Sequence, residues 1–309
     1  MNKWICIFLN LYFCSFFLYA QENKEDSLLL EQVRKDVFFL ASDSLEGRFP
    51  DTKGAKIAAE YISKRFEELN LQAFHQTTYF QHFIFPYQNK SLAATNLIAQ
   101  TNASKPCKII ITAHYDHLGF GTIHSREVFK TKIHNGADDN ASGLAVLLAL
   151  AKRFMQEEKE LDFSILFICF SAHETGLFGS KAFIEEYNQN SNDKLKEIEY
   201  VFNLDMVGRL DTLQNTYPLY FRIPKSNRES IWKNEDLPIS KEKLRIVIKP
   251  SETALDDSCF YQLQIPSATF STGLHQDYHT SNDDAEKINY RGMLKIILFL
   301  EEYISYRIK

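Results

Sequence analysis

The sequence predicts an α/β protein with a mostly parallel, mixed sheet flanked by helices on both faces. Short apolar runs alternate with segments of helical periodicity, which is typical of such sheets. The 309 residues are 45% hydrophobic and 24% charged, which is enough apolar material for a large core. The low numbers of glycine (11) and proline (8) argue against an all-β sandwich with many tight turns.

Each expected element has its own apolar pattern. Apolar residues recur at helical spacing over 53–69, which predicts a helix. The run 108–113 is short and largely β-branched, as in a central strand. Ser142 can cap a helix over 141–155. The remaining expected elements are a C-terminal helix over 291–306 and strands over 163–170, 200–206, 216–223, 244–249 and 266–271.

The first twenty residues differ in composition from the rest of the chain. An apolar run from Trp4 to Tyr19 follows Lys3 and precedes a polar stretch. This pattern predicts a secretory signal peptide cut after Ala20, leaving a single domain over 21–309. The alternative is an uncleaved membrane anchor, although the run is short for a spanning helix. We therefore expect a secreted, periplasmic or cell-envelope protein.

The charge and the cysteine content argue against a nucleic-acid-binding protein and against a zinc finger. The formal net charge is −5, and no dense Lys/Arg block suggests a nucleic-acid groove. The cysteines beyond the leader, Cys107, Cys169 and Cys259, have no zinc-finger spacing, and their odd number leaves at least one thiol free in a monomer. We expect them to pack in the core.

Polar residues follow each expected central strand. Ligands of parallel sheets bind outside the carboxyl ends of the strands, so these side chains should meet at one edge. Such a cluster of carboxylates and imidazoles would repel itself without cations, and its ligands suit zinc. Two ions sharing one carboxylate could hold and activate a water between them. The segments concerned are 114–117, 135–143, 171–176, 203–206 and 272–280.

Each segment also has a purely structural interpretation. A single histidine such as His114 can be a hydrogen-bonded core residue, and the acidic turn before residue 142 can be a helix cap. Asp205 could pair with Arg209. The occurrence of five such segments in one chain favours the metal site.

In combination these segments resemble the co-catalytic zinc peptidases typified by secreted bacterial leucyl aminopeptidases (metallopeptidase family twenty-eight). Glutamate carboxypeptidase, the transferrin-receptor ectodomain and glutaminyl cyclases are relatives. The resemblance covers roughly 30–305 except 210–250, and it includes a match at 45–48. It implies a two-zinc exopeptidase, most often an aminopeptidase, with peptides as substrates. The matching motifs are 113–119, 135–143, 174–180, 203–206 and 272–280.

The resemblance also implies roles for individual residues. Asp138 would bridge the two zinc ions, and the peptide bond that follows it would be cis. Asp116 would accept a hydrogen bond from the ring of His114. Tyr278 is a candidate wall residue of the substrate pocket. The implied zinc ligands are His114, Asp138, Glu174, Asp205 and His279.

One departure from the family concerns the general base. His173 stands where the family usually has a glutamate. A neutral imidazole can accept a proton near pH 7, so His173 is the candidate catalytic base. The alternative is a catalytically impaired or non-catalytic relative. A lesser alternative is a glutaminyl cyclase, although those relatives generally use one zinc and lack the segment 272–275.

A second departure from the family concerns substrate recognition. The stretch 255–260 departs from the family's Ser-Asp-His pattern, so the resemblance implies no residue there for recognition of the substrate end. A carboxypeptidase would need a basic clamp for the terminal carboxylate. Arg209 is the nearby candidate in the sequence, and we expect it to pair with an acidic neighbour instead.

Overall fold

The computed structural model describes residues 24–307 except 76, 128–130, 158–160, 191–196, 211–216, 224–243 and 252. The expected leader, 1–20, lies outside the described residues. In the ranges that are described, no helix has both the length and the hydropathy needed to cross a membrane.

The described elements alternate as the sequence predicts. The helices are α1 (24–40), α2 (Lys53–Glu68), α3 (Gly143–Glu157), α4 (Phe178–Asn190), α5 (Asp257–Gln262) and α6 (Tyr290–Arg307). The strands are β1 (Gln72–Ala73), β2 (Phe80–Tyr87), β3 (Lys90–Gln100), β4 (Cys107–His114), β5 (Ser164–Phe170), β6 (Tyr200–Leu204), β7 (Tyr217–Ile223), β8 (Leu244–Pro250) and β9 (Ser267–Ser271).

All described strands belong to one mixed sheet, which confirms the expected fold class. The strand order is β1-β3-β5-β4-β6-β9-β7-β8, with β2 paired to β3. Strands β5, β4, β6 and β9 run parallel at the centre. The pairs β2–β3, β3–β5 and β7–β9 are antiparallel, so direction changes on both sides of the parallel centre.

Helices cover both faces of the sheet because its central strands are apolar on both sides. Ile109 and Ile111 of β4 pack in one core with side chains of α3 and α6. Ile110, between them, packs in a second core with side chains of α4 and α5. A strand buried on both faces is largely apolar, so its ionisable side chains lie at its ends, next to the sheet edge.

The structure adds elements that the sequence analysis did not predict, namely α1, the β2–β3 hairpin, α4 and α5. It also replaces the expected start of the helix near residue 141 with an irregular turn over Ala137–Ser142. The thiols of Cys107, Cys169 and Cys259 are free, and Cys169 and Cys259 are buried.

Candidate metal centre

The expected site residues lie together at the carboxyl edge of the parallel strands. His114 is the last residue of β4, and Asp205 directly follows β6. Glu174 follows β5, and His279 lies in the loop after β9. His114 and Asp205 are buried, and His279 is 8% exposed, so the cluster lies almost entirely below the protein surface at this edge of the sheet.

Asp139 occupies the middle of this cluster. Its Oδ1 lies 3.4 Å from Nε2 of His114, and its Oδ2 lies 3.2 Å from Nε2 of His279. The same nitrogen of His279 lies 3.3 Å from Oε2 of Glu174. The two oxygens of one carboxylate therefore face two separate groups of ligand atoms, as a carboxylate shared by two ions would.

The donor atoms fit zinc in type and spacing. Two atoms bound to one tetrahedral zinc at about 2.0–2.2 Å lie about 3.3–3.6 Å apart, close to these contacts. Nδ1 of His114 donates to the backbone oxygen of Asp116 at 3.1 Å, which leaves Nε2 with its lone pair. Among the described residues, Nε2 of His114 and Oδ2 of Asp205 are buried without a hydrogen-bond partner. Buried acceptor atoms without a donor are stabilised by a cation.

The expected bridging role of Asp138 is wrong. Its Oδ1 accepts hydrogen bonds from the hydroxyl of Ser142 at 2.9 Å and the backbone of Gly208 at 2.6 Å, and its Oδ2 lies 3.1 Å from His275. These contacts turn Asp138 into the supporting loop and away from the ligand cluster. The cis peptide bond is likewise Asp139–Asn140, not the bond after Asp138.

Two neighbours hold the turn that carries Asp139. Asp283 accepts hydrogen bonds from the backbone nitrogens of Asp138 and Asp139 at 2.9 and 3.0 Å. Asn140 donates to the carbonyl of Leu204, at the end of β6, at 2.8 Å. The turn is thereby fixed to the sheet edge that also presents Asp205.

Arg48 supports the same turn from the buried side. Its guanidinium donates to the carbonyls of Tyr115, Asn135 and Gly136 at 2.7, 2.6 and 2.9 Å, and also to that of Leu40. The side chain is 1% exposed, and burial lowers its pKa to about 10 against the attraction of nearby carboxylates. The short match at 45–48 thus has a structural role, which the sequence analysis did not assign.

Asp116 does not accept the hydrogen bond that we expected from the ring of His114. Its carboxylate lies 3.9 Å from Nδ1, and the backbone oxygen of Asp116 accepts that proton instead. The carboxylate accepts from the backbone nitrogens of His173 and Glu174 at 3.0 and 3.2 Å. Because two backbone donors occupy it, Asp116 positions the segment that carries both residues.

His173 lies beside the cluster and against a buried carboxylate. Its Nδ1 is 2.7 Å from Oδ2 of Asp256, and its ring stacks on that of His114 with 3.8 Å between centroids and 6° between planes. His114, His173 and Asp205 each offer a ligand atom within 4.8 Å of the others. Because the two rings are stacked in nearly parallel planes, an ion in the plane of the His114 ring would lie outside the plane of the His173 ring, so His173 would stand beside that ion instead of binding it.

His117 is a site residue that the sequence analysis missed. Its Nδ1 lies 3.1 Å from Oε1 of Glu174 and 3.9 Å from Oδ2 of Asp139, and these three residues form a second group of potential ligands. The available signal was its place three residues after His114 in a segment already assigned to the site.

The carboxylates around His279 change its proton affinity. Burial lowers the pKa of His279, but hydrogen bonds to Asp139 and Glu174 outweigh it and raise the pKa to about 10. Burial raises the pKa of Asp139, whereas contacts with His114 and His279 hold it well below its usual value. Without metal, a proton on His279 offsets part of the negative charge that divalent ions would balance.

A cavity of about 350 Å³ opens onto the cluster. Asp139, His173 and Glu174 lie in its lining. Tyr278, the expected wall residue, also lines it, with its ring stacked on His279 at 3.8 Å. Arg209 pairs with Asp277 at 3.3 Å and Asp283 at 3.1 Å, as expected for a structural residue.

Sequence comparison identifies the family. The model of peptidase family M28 matches residues 96–304. The chain belongs to peptidase family M28. Aminopeptidase YwaD of Bacillus subtilis is 29% identical over 196 residues, which cover 61% of this chain and 38% of that relative. The chain therefore matches less than half of that relative's length.

Solved structures agree on the fold. A zinc aminopeptidase from Bacillus subtilis has a TM-score of 0.67 at 18% identity, covering 89% of this chain and 94% of its own. The glutaminyl cyclase of Porphyromonas gingivalis has a TM-score of 0.70 at 16% identity, covering 91% and 98%. At these identities the likeness shows the fold alone, so the reaction has to be argued from the site.

Proposed function

We propose that this protein is an exported, zinc-dependent aminopeptidase that hydrolyses N-terminal peptide bonds. The observation that supports this best is Asp139, whose oxygens face His114 on one side and His279 on the other. Membership of a peptidase family and the likeness to an aminopeptidase favour the same reaction. A pair of bound zinc ions would polarise the scissile carbonyl and activate a water.

The residues divide between two zinc ions in this proposal. His114 and Asp205 would hold one ion, Glu174 and His279 would hold the other, and Asp139 would contribute to both. His117 is placed to add a nitrogen ligand to the ion at Glu174. With two divalent ions the three ligand carboxylates are neutralised.

His173 is the proposed proton acceptor. The carboxylate of Asp256 can only accept from the ring, so Nδ1 carries the proton and Nε2 keeps the lone pair. Burial lowers the pKa of His173, and without metal the attraction of Asp256 outweighs this and raises it well above the usual value. Two bound cations act in the opposite direction by disfavouring imidazolium. The neutral ring can then take a proton from the attacking water and return it to the leaving amine.

Export is the part of the proposal that rests on the leader alone. The apolar run after Lys3 and the polar stretch after Ala20 support it. The intact mass of the exported protein tests it: cleavage before Gln21 is expected. A mass that retains the first twenty residues would favour the anchor.

The decisive experiment combines metal analysis with an aminoacyl-amide assay on the wild type and on His173→Ala. We expect about two zinc ions per chain in both proteins and turnover in the wild type only. Full metal content without hydrolysis by the wild type would support a non-catalytic relative, and a gain of activity in His173→Glu would then identify the lost base. Release of ammonia from N-terminal glutamine peptides would support the cyclase.

A further inference from the structure

Two cationic side chains line the same cavity as the metal ligands. Arg222 lies on β7 and Lys249 on the neighbouring parallel strand β8. The strand register pairs the two residues directly, so their side chains project from the same face. Leu219 and Phe221 are buried in the core on the other face, which fixes Arg222 toward the cavity.

Neither cation has a carboxylate partner within 4.0 Å in the described part of the chain. Nε of Arg222 is buried and makes no hydrogen bond there. Arg222 shares the cavity lining with Asp205 and Glu174, so its charge faces the same space as the proposed metal ligands. A partly buried cation without a counter-ion is costly, and an anionic ligand would offset that cost.

Tyr220 keeps Lys249 in the cavity wall. Nζ of Lys249 lies 4.0 Å from the centroid of the Tyr220 ring, in a cation–π contact. The same ring packs against Gly273, where a Cβ would lie 2.9 Å from it. The loop after β9 therefore packs against the ring of Tyr220. The ammonium group of Lys249 lies over that ring instead of extending into solvent.

We propose that Arg222 and Lys249 bind a carboxylate of the substrate, so that the enzyme prefers peptides with an acidic group close to the scissile bond. This inference rests on the proposed aminopeptidase function. The two cations line the same cavity as the metal ligands, so a carboxylate bound there would lie close to the scissile bond. The carboxylate can come from an acidic N-terminal side chain or from the terminus of a dipeptide.

The kinetic test compares substrates that differ only in that group. In the first arm, Glu and Gln p-nitroanilides are compared as N-terminal residues; in the second, Leu-Gly is compared with its amide. We expect the wild type to favour the acidic member in at least one arm by about tenfold or more, equivalent to about 1.4 kcal/mol. The arm that shows the preference identifies the source of the carboxylate.

The variants Arg222→Gln and Lys249→Gln, singly and together, should remove this preference, measured as the ratio of kcat/KM between the two members of each pair. Arg245→Gln is the matched control, because Arg245 is an exposed residue of β8 outside the cavity lining. Equal rates for both members of both pairs in the wild type, or a preference that survives in the double variant, would overturn the inference.

A binding test separates this inference from the proposed reaction. Calorimetry with the zinc-loaded protein compares glutarate with its monoamide, since each has one carboxylate for the metal site and only glutarate has a second. We expect glutarate to bind about tenfold more tightly in the wild type and equally in the double variant. If no peptide is cleaved but this difference is found, the aminopeptidase proposal fails and the carboxylate site stands. Equal binding in the wild type would refute the site.

Discussion

Oδ2 of Asp139 lies 3.2 Å from Nε2 of His279, while Oδ1 of the same carboxylate is turned toward the other side of the cluster. Asp138, one residue earlier, binds its own loop instead. Two adjacent carboxylates of the same type thus have different roles, and each can be tested by the same chemical change.

Asp139→Asn should lose zinc, whereas Asp138→Asn should keep about two ions per chain. Removal of a shared ligand affects both ions, so we expect a loss of affinity of more than about 100-fold, beyond the effect of losing an outer partner. Competition with a chelator measures this, with Asp138→Asn as the matched control. Zinc affinity in Asp139→Asn equal to that of the wild type would show that Asp139 is not a ligand, and an equal loss in Asp138→Asn would show that the contacts of the turn matter as much.

Asp256→Asn should reduce kcat by about 10–100-fold without changing zinc content, because the amide orients His173 less well than the carboxylate. The control is Asp257→Asn. Burial raises the pKa of Asp257 to about 7, so its acid is largely neutral in mildly acidic solution and an amide resembles it. Steady-state kinetics and metal analysis at the same pH compare them. If kcat falls equally in both, the effect reflects local packing and not the His173 contact.

Arg48→Met should lower the free energy of unfolding by at least about 3 kcal/mol, since buried carbonyls that lose a donor cost roughly 1–3 kcal/mol each. Urea denaturation of the metal-free protein measures the change. Arg291→Met, at an exposed residue of α6, is the control and should stay within about 0.5 kcal/mol. A loss equally small in Arg48→Met would mean that water replaces the guanidinium.

Zinc binding should release protons between pH 7 and 9, because His279, with a pKa near 10, must lose its proton to coordinate. Calorimetry in buffers of different ionisation enthalpy counts the protons released. His279→Ala should release fewer. A proton count near zero in the wild type would show that His279 does not exchange a proton for the metal.

The metal-free protein should also become less stable as pH rises. A folded pKa above the unfolded value gives stability that is present below the unfolded pKa and is lost up to the folded one. For His279 this window runs from its usual value of 6.5 to about 10. For Asp283, whose pKa is raised to about 7 chiefly by burial, it runs from 3.8 to about 7. Thermal melts from pH 5 to 10, with and without zinc, measure this trend. The zinc-loaded protein should not show the loss of stability that His279 causes.

The sequence predicted the position of the site because a strand buried on both faces carries its ionisable residues at its ends. His114 is the last residue of its strand and Asp205 directly follows its strand, so the fold alone determines where they lie. The choice between Asp138 and Asp139 did not, because the irregular turn at 137–142 has no fixed side-chain period. Only the contacts with Ser142 and Gly208 decide which carboxylate is turned inward.

The cavity wall was also beyond sequence analysis. Strands β7 and β8 were expected, but their register was not, and that register alone brings Arg222 next to Lys249. The two residues are 27 positions apart in sequence, and the resemblance to the family did not extend over 210–250. The contact of Asp256 with His173 likewise joins two residues that are far apart in the sequence, and only the fold brings them together.

The part of the chain that matches the family model begins at residue 96, yet Arg48 lies well before it. A fragment cut at that boundary would contain every proposed zinc ligand and lack the guanidinium beneath the turn. The carbonyls of Asn135 and Gly136 would then have no donor from Arg48. A protein shortened to the segment that matches the family model should thus contain all the proposed zinc ligands but lack the support that keeps them in position.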